Sequence, residues 1–253
     1  MNANFRRTKI LATLGPATDQ PGVLEQLLEA GVNVVRLNFS HGTPEQHAAR
    51  VAKVREISAS IGREVGVLAD LQGPKIRIEK FANDKVLLAN GQEFRLICRA
   101  DAPMGDETQV GVSYLGLVSD VKVGDTLLLD DGLISLQVTA LDGDAIVTTV
   151  LAGGALSNRK GLNRLGGGLS LDALSEQDKE HIAIAAELDV DFLAVSFCRS
   201  AADIELARSI AKSHGSFAHI VAKIERPEAI ENLVEITQAS DVVMVARGDL
   251  GVE

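Results

Sequence analysis

The sequence predicts an α/β fold of the (β/α)8 TIM-barrel type, with six of the eight units present and a small all-β barrel domain inserted among them. Three observations carry that expectation. Short apolar runs alternate with capped helical segments, aliphatic residues do nearly all the core building, and one interval between runs is far too long and differs in style. Of 253 residues, 46% are hydrophobic but only 3% are aromatic, with no Trp and a single Tyr, Tyr114. Val, Leu, Ile and Ala must therefore build the core, which suits parallel strands covered by helices on their faces.

In chain order, the apolar runs are "KILATLG" (9–15), "VNVVRLNF" (32–39), "VGVLADL" (65–71), "VDFLAVSF" (190–197), "HIVAKI" (219–224) and "DVVMVARG" (241–248). Each is short and bounded by turn residues, as buried strands are. Thr43-Pro44-Glu45-Gln46 supplies an N-cap, a first-turn proline and a capping-box glutamine, and the helix it opens is expected to run to Gly62. "SAADIELARSIAKSHG" (200–215) is again bounded by a cap and a glycine. Pro227 opens a third helix, "PEAIENLVEITQAS", and Ser175 caps a fourth, "SEQDKEHIAIAAELDV". Strands that alternate with helices mean βαβ units and a parallel sheet.

Residues 78–160 break this rhythm. "KVLLANGQEFRLIC" reads as a hairpin turning at Asn90-Gly91. "KVGDTLLLDDGLISLQVTALDGDAIVTTV" adds turns at Asp131-Gly132 and Asp142-Gly143 between β-branched runs. This is an all-β meander lying between the third strand and the next helix. The chain is expected to leave it through the glycine-rich "GLNRLGGGLS" (161–170). The boundaries are thus 1–77 and 161–253 for the two parts of the barrel domain, and 78–160 for the insert.

Charge and cysteine content exclude several classes. The formal net charge of −10 argues against a nucleic-acid polymer as partner, because phosphate backbones are bound by extended basic surfaces. Cys98 and Cys198 are a hundred positions apart and form neither a metal pair nor a disulfide framework, so a reducing cytoplasm is the simplest location. The opening "MNANFRRTKILATLGPA" is basic and then apolar, but its apolar run is short and closed by Pro16, unlike a signal peptide. No segment approaches the length of a membrane span.

In a barrel of this type the chemistry lies at the carboxyl ends of the strands. Those ends carry Arg36, Asn38 and Ser40, then Asp70, Lys75 and Arg77, then Ser196 and Arg199, then Lys223 and Glu225, and last Arg247 and Asp249. Basic groups, carboxylates and hydroxyls thus concentrate at strand ends in an otherwise acidic chain. Carboxylates from adjacent strands can hold Mg²⁺, and Lys and Arg beside them neutralise phosphate charge. The set suits phosphoryl transfer, where positioning and charge neutralisation supply most of the catalysis. Taken singly these residues are ordinary: His41 suits a structural hydrogen bond, "RGDLG" alone is a weak turn motif, and Glu225 also fits a first-turn acid.

The motifs themselves resemble the pyruvate kinase family. "TKILATLGPAT", "VVRLNFSHGT" and "LADLQGPKIR" are similar to the family's first three strands, and "NRKGLN" to the return from its inserted β domain. "DFLAVSFCRS", "IVAKIERPEAIEN" and "DVVMVARGDLGVE" are similar to its next three strands. One departure is "NRLGGG" where many members carry asparagine-leucine-proline-glycine. The resemblance implies conversion of phosphoenolpyruvate and ADP to pyruvate and ATP in the cytoplasm, with Mg²⁺ as cofactor.

Residue by residue, Glu225 and Asp249 match the Mg²⁺ ligands, and Lys223 the lysine beside the transferring phosphoryl and the developing enolate. Arg36 matches the phosphate-binding arginine, and backbone N–H groups around Gly248 and Asp249 match substrate contacts. Arg77 and Lys160, with Asn38, match nucleotide contacts. Asn38, Ser40, Asp70 and the Leu71 carbonyl match the monovalent-cation site. Lys75 stands where K⁺-activated members carry glutamate, so a tethered ammonium is expected to replace K⁺. The inserted domain is expected to act as a lid that excludes water.

The family continues past the Asp249 strand with two more barrel units, a threonine implicated in proton transfer, and a carboxyl-terminal regulatory domain. The chain therefore resembles an amino-terminal portion, expected to be almost inactive alone, of a full-length homotetramer. Two other readings stay open here: a Mg²⁺-dependent aldolase or lyase on a related barrel, and an inactive fragment that only binds.

Overall fold

The computed structural model describes residues 6–251; Met1–Phe5 of the opening motif and Val252 and Glu253 of the closing one lie outside them. In chain order the elements are β1 (Leu11–Thr13), α1 (Val23–Glu29), β2 (Val34–Asn38), α2 (Pro44–Ile61) and β3 (Gly66–Asp70). There follow β4 (Lys85–Leu88), β5 (Glu93–Ile97), β6 (Gln109–Gly111), α3 (Leu117–Asp120), β7 (Thr126–Leu129), β8 (Ile134–Asp142), β9 (Ala145–Ala152), β10 (Gly154–Ser157) and β11 (Leu162–Arg164). The last are α4 (Glu176–Glu187), β12 (Phe192–Val195), α5 (Ala201–Ser213), β13 (His219–Ile224), α6 (Pro227–Glu231), α7 (Leu233–Ala239), β14 (Val242–Val245) and α8 (Arg247–Leu250). The chain divides into two compact units. One comprises the residues up to Gly73 with Ala173–Ile224 and Asn232–Met244; the other comprises Pro74–Asp172, Glu225–Glu231 and the residues from Val245 on.

In the first unit, the six apolar runs form a six-stranded sheet in the order β1-β2-β3-β12-β13-β14. The ladders β1·β2, β2·β3, β3·β12 and β12·β13 are parallel. Neighbours in space follow neighbours in sequence, so the sheet winds in one direction, without the reversal of a doubly wound sheet. Val34, Leu68, Ala194 and Val221 share one face, where Phe192 and Met244 pack beside them. The helices bury apolar stripes at helical spacing: Val51, Val54 and Ile57 on α2, and Ile204, Ala207 and Ala211 on α5.

The α2 start is as the sequence specifies. The Thr43 side chain accepts from the Gln46 N–H, Gln46 returns a bond to the Thr43 N–H, and Gly62 closes the helix in the left-handed region at φ +63°. A first-turn histidine of α2, His47, stacks on Phe39 with ring centroids 4.5 Å apart, and His181 of α4 meets the same ring edge-on at 5.1 Å. His47 Nε2–H donates to the His41 carbonyl, while Nδ1 is buried without a hydrogen-bond partner. Burial holds both His47 and His181 below the ordinary imidazole value of 6.5. The folded state therefore favours the neutral rings. Their contribution is fully present above about pH 6.5 and is lost as pH falls toward the depressed folded values. We expect stability to fall with acidification in that window, and His47→Gln to flatten the slope of unfolding free energy against pH; an unchanged slope would contradict this.

The long helix expected from Pro227 is broken. α6 ends at Glu231 and α7 begins at Leu233, with Asn232 between them at φ −100°, ψ 17°. Its side chain donates to the Arg199 carbonyl, so the amide serves a tertiary bond rather than a continuous helix. α1 carries no strong cap, its N-cap being the left-handed Gly22, and sequence reasoning did not mark it.

In the second unit the sheet order is β11-β7-β8-β9-β5-β6, with β10 and β4 paired separately. Phe81, Phe94, Leu96, Leu127, Leu136 and Ile146 belong to its core. The hairpins at Asp131-Gly132 and Asp142-Gly143 form, joining β7 to β8 and β8 to β9 antiparallel. The hairpin expected at Asn90-Gly91 does not. Gly91 turns at φ +81°, but β4 pairs with β10, and β5 pairs with β9 and, in parallel, with β6. The parallel pair departs from a pure meander. Asn90 serves a different contact, since its side-chain oxygen accepts from the Gly153 N–H and ties the two turns together.

Candidate active site

Strand periodicity places the first cluster of functional side chains. Side chains two positions apart on a strand share a face. Beyond Val34, Leu68, Ala194 and Val221 on the apolar face, the next residues on that face are Arg36, Asp70, Ser196 and Lys223. Register staggers them: Arg36 pairs with Leu68, Asp70 pairs with Asn38 and Ala194, and Val195 pairs with Ala222, so Arg36 and Asp70, and Asp70 and Ser196, are each offset by two residues. An apolar layer thus supports a polar one at the carboxyl ends of four adjacent strands.

Asp70 is the centre of that layer, with its side chain only 2% exposed. Arg36 Nε donates to Oδ2 at 2.6 Å, and Arg36 Nη1 donates to the Thr13 hydroxyl at 3.0 Å. Lys223 Nζ lies 3.2 Å from Oδ1 and donates to the Ser196 hydroxyl at 2.6 Å. Ser196 in turn donates to the Leu71 carbonyl at 2.8 Å. A buried carboxylate requires such partners, because desolvating it alone is very costly. Two cations on one carboxylate leave a local charge of +1, an anion-attracting point in an acidic chain. Asn38 uses its side-chain oxygen to accept from the Ser40 N–H at 3.1 Å. Of the residues matched to a monovalent-cation site, Asp70 and the Leu71 carbonyl are therefore engaged by Arg36, Lys223 and Ser196.

The second unit holds the other candidates. Lys75 Nζ is 3.0 Å from Asp249 Oδ1, with both side chains one-quarter exposed. Arg77 Nη1 donates to the Arg159 carbonyl at 3.0 Å. Lys160 pairs with Asp130 at 2.7 Å. Glu225 is buried and follows β13 directly. Gly248 and Asp249 lie in the short turn of helix α8, which opens at Arg247. Among the described residues, no group of three or more His, Cys, Asp or Glu side chains gathers to hold a metal.

Sequence reasoning missed three partners: Thr13 beneath Arg36, Asp130 against Lys160, and the Arg159 carbonyl. Asp131 was legible only as a turn former, and nothing in the sequence marked Asp130. In the structure both are left-handed, at φ +52° and +54°, which is uncommon for residues other than glycine. A cleft of about 330 Å³ in the first unit, lined in part by Asp19, Leu24 and Arg50, contains none of the cluster.

A family description, "Pyruvate kinase, barrel domain", matches residues 5–253. The chain belongs to the pyruvate kinase family. It is 54% identical over 256 residues to Pyruvate kinase II of Salmonella typhimurium, covering all of this chain and 53% of that protein. It is 53% identical to a pyruvate kinase of Haemophilus influenzae, with 100% and 54% coverage. A pyruvate kinase of Mycobacterium intracellulare is 47% identical, with 98% and 52% coverage. The chain spans about half the length of these curated relatives.

Proposed function

We propose that the chain is the amino-terminal, barrel-forming portion of a pyruvate kinase that transfers the phosphoryl group of phosphoenolpyruvate to ADP, giving pyruvate and ATP in glycolysis. The observation that carries this reading is Asp70 held between Arg36 and Lys223 at the carboxyl ends of parallel strands. Arg36 and Lys223 bind the phosphoryl group, and Lys223 stabilises charge growing on the enolate oxygen. Asp249 and the N–H groups around Gly248 orient the substrate. Arg77, Lys160 and Asn38 meet the nucleotide.

Glu225 and Asp249 offer hard carboxylate oxygens, the donor chemistry that Mg²⁺ selects, and would hold it with substrate and water completing the shell. Bound there, Mg²⁺ would neutralise phosphoryl charge as a Lewis acid. The assay that tests this reading is pyruvate formation by the full-length enzyme with and without ADP, set beside aldol cleavage. Strictly ADP-dependent pyruvate formation is expected, and aldol cleavage without it would overturn the reading.

Residues 78–160 are proposed as the inserted β domain and 1–77 with 161–253 as the barrel domain. The 253-residue chain alone is expected to be almost inactive. The outer strands β1 and β14 leave Leu11 and Val245 exposed, as unprotected edges do. The working protein is proposed to be a cytoplasmic homotetramer. Among the described residues, no helix is long and apolar enough to cross a membrane.

Lys75 concerns the monovalent cation. Its ammonium pairs with Asp249, which is outside the set matched to that cation, so the reading rests on the lysine standing where K⁺-activated members carry glutamate. The full-length enzyme is expected to need Mg²⁺ but little or no K⁺, and Lys75→Glu to create K⁺ dependence. Turnover in tetramethylammonium buffer with and without KCl checks this; strong K⁺ activation of the unsubstituted enzyme would refute it.

A further inference from the structure

We infer that Ser196 is the positioning residue for the Lys223 ammonium, an inference that rests on the role proposed above for Lys223. The hydroxyl is almost fully buried and has one proton to give. It gives that proton to the Leu71 carbonyl at 2.8 Å, and its oxygen accepts from Lys223 Nζ at 2.6 Å. Asp70 Oδ1, at 3.5 Å, is too distant to compete strongly for the proton. The direction of the hydroxyl is thus fixed by a main-chain carbonyl, and the lone pair that remains points to the lysine. Lysine is a flexible side chain that carries a point charge, so its placement depends on fixed acceptors.

The backbone around Ser196 is held in place independently. Phe197 follows at φ +56°, a left-handed conformation that an aromatic residue rarely adopts and that its surroundings must enforce. Gly73 approaches so closely that a Cβ there would lie 2.9 Å from the Ser196 Cβ and 2.7 Å from the Phe197 ring. In the loop after β12, the Cys198 thiol donates to the carbonyl of Lys223 on β13 at 3.3 Å, tying the two chain segments together. Ser196 is therefore a rigid post, and Lys223 is the arm that it steadies. The Leu71 carbonyl joins this post to the residues matched to the cation site.

The test uses the full-length enzyme. Ser196→Ala removes the acceptor, and kcat is expected to fall between about 10- and 100-fold, the worth of a hydrogen bond to a charged group. The KM for phosphoenolpyruvate is expected to rise by a smaller factor than kcat falls, since Arg36, the other group that binds the phosphoryl, is untouched. Ser196→Cys keeps the packing but exchanges a strong acceptor for a weak one. It is expected to show the same loss, and it carries the test should the alanine variant not fold. In a Lys223→Met background, Ser196→Ala is expected to lower kcat by less than about twofold more, because the serine acts through the lysine. A full additional loss there would mean a structural role and would overturn the inference, as would wild-type kcat in either Ser196 variant. Wild-type turnover in Lys223→Met alone would instead overturn the role assigned to the lysine.

Discussion

Lys223→Met in the full-length enzyme is expected to lower kcat between about 100- and 1,000-fold, the loss seen when one fixed group that stabilises developing negative charge is removed. The methionine keeps most of the stem and its packing, so the change is chiefly the ammonium. The Lys223 side chain is 12% exposed and its ammonium lies against the carboxylate of Asp70, whose side chain is 2% exposed, so its charge acts with little screening by water. The KM for ADP is expected to change little, because the nucleotide is assigned to Arg77 and Lys160. Steady-state kinetics at saturating phosphoenolpyruvate check this. Turnover within twofold of the unsubstituted enzyme would remove Lys223 from the chemistry.

Asp249→Asn and Glu225→Gln are each expected to lower turnover by about 100-fold and to raise the Mg²⁺ concentration required. Each exchanges a charged oxygen ligand for a neutral amide of nearly the same shape, against several kcal/mol of charge stabilisation by the metal. For Asp249 a second effect adds to the first, because the Lys75 ammonium loses its carboxylate partner at 3.0 Å. Mn²⁺ as a paramagnetic stand-in gives a readout independent of activity. Both variants are expected to bind it more weakly, and unaltered Mn²⁺ binding would show that the carboxylates are not its ligands.

Much of the parallel sheet was legible because a buried strand between two helices leaves a continuous aliphatic run. "HIVAKI" became β13 at its full length, while "KILATLG" shrank to Leu11–Thr13, since apolar character outlasts the hydrogen-bonded ladder. The polar layer was legible as residue types at strand ends. Its spacing also carried a signal: Val34 before Arg36, Leu68 before Asp70, Ala194 before Ser196 and Val221 before Lys223. What spacing does not encode is which side chains meet. Thr13 beneath Arg36 and Asp130 against Lys160 depend on tertiary contacts that no local pattern announces.

The failures have the same origin. Asn90-Gly91 has good turn chemistry, but which strands pair across a turn is decided by non-local partners, here β10 for β4 and β9 for β5. Asn232 has ordinary helix propensity; the Arg199 carbonyl, far away in sequence, drew its side chain and broke the helix.

The most direct test of phosphoryl transfer is ³¹P NMR of the full-length enzyme with phosphoenolpyruvate, ADP and Mg²⁺. The expected result is a phosphoenolpyruvate resonance that declines one for one with growth of the γ-phosphoryl signal of ATP, without inorganic phosphate, and that persists in Lys223→Met. Release of inorganic phosphate with ADP unchanged, or cleavage of a carbon–carbon bond with the phosphate ester intact, would contradict the account.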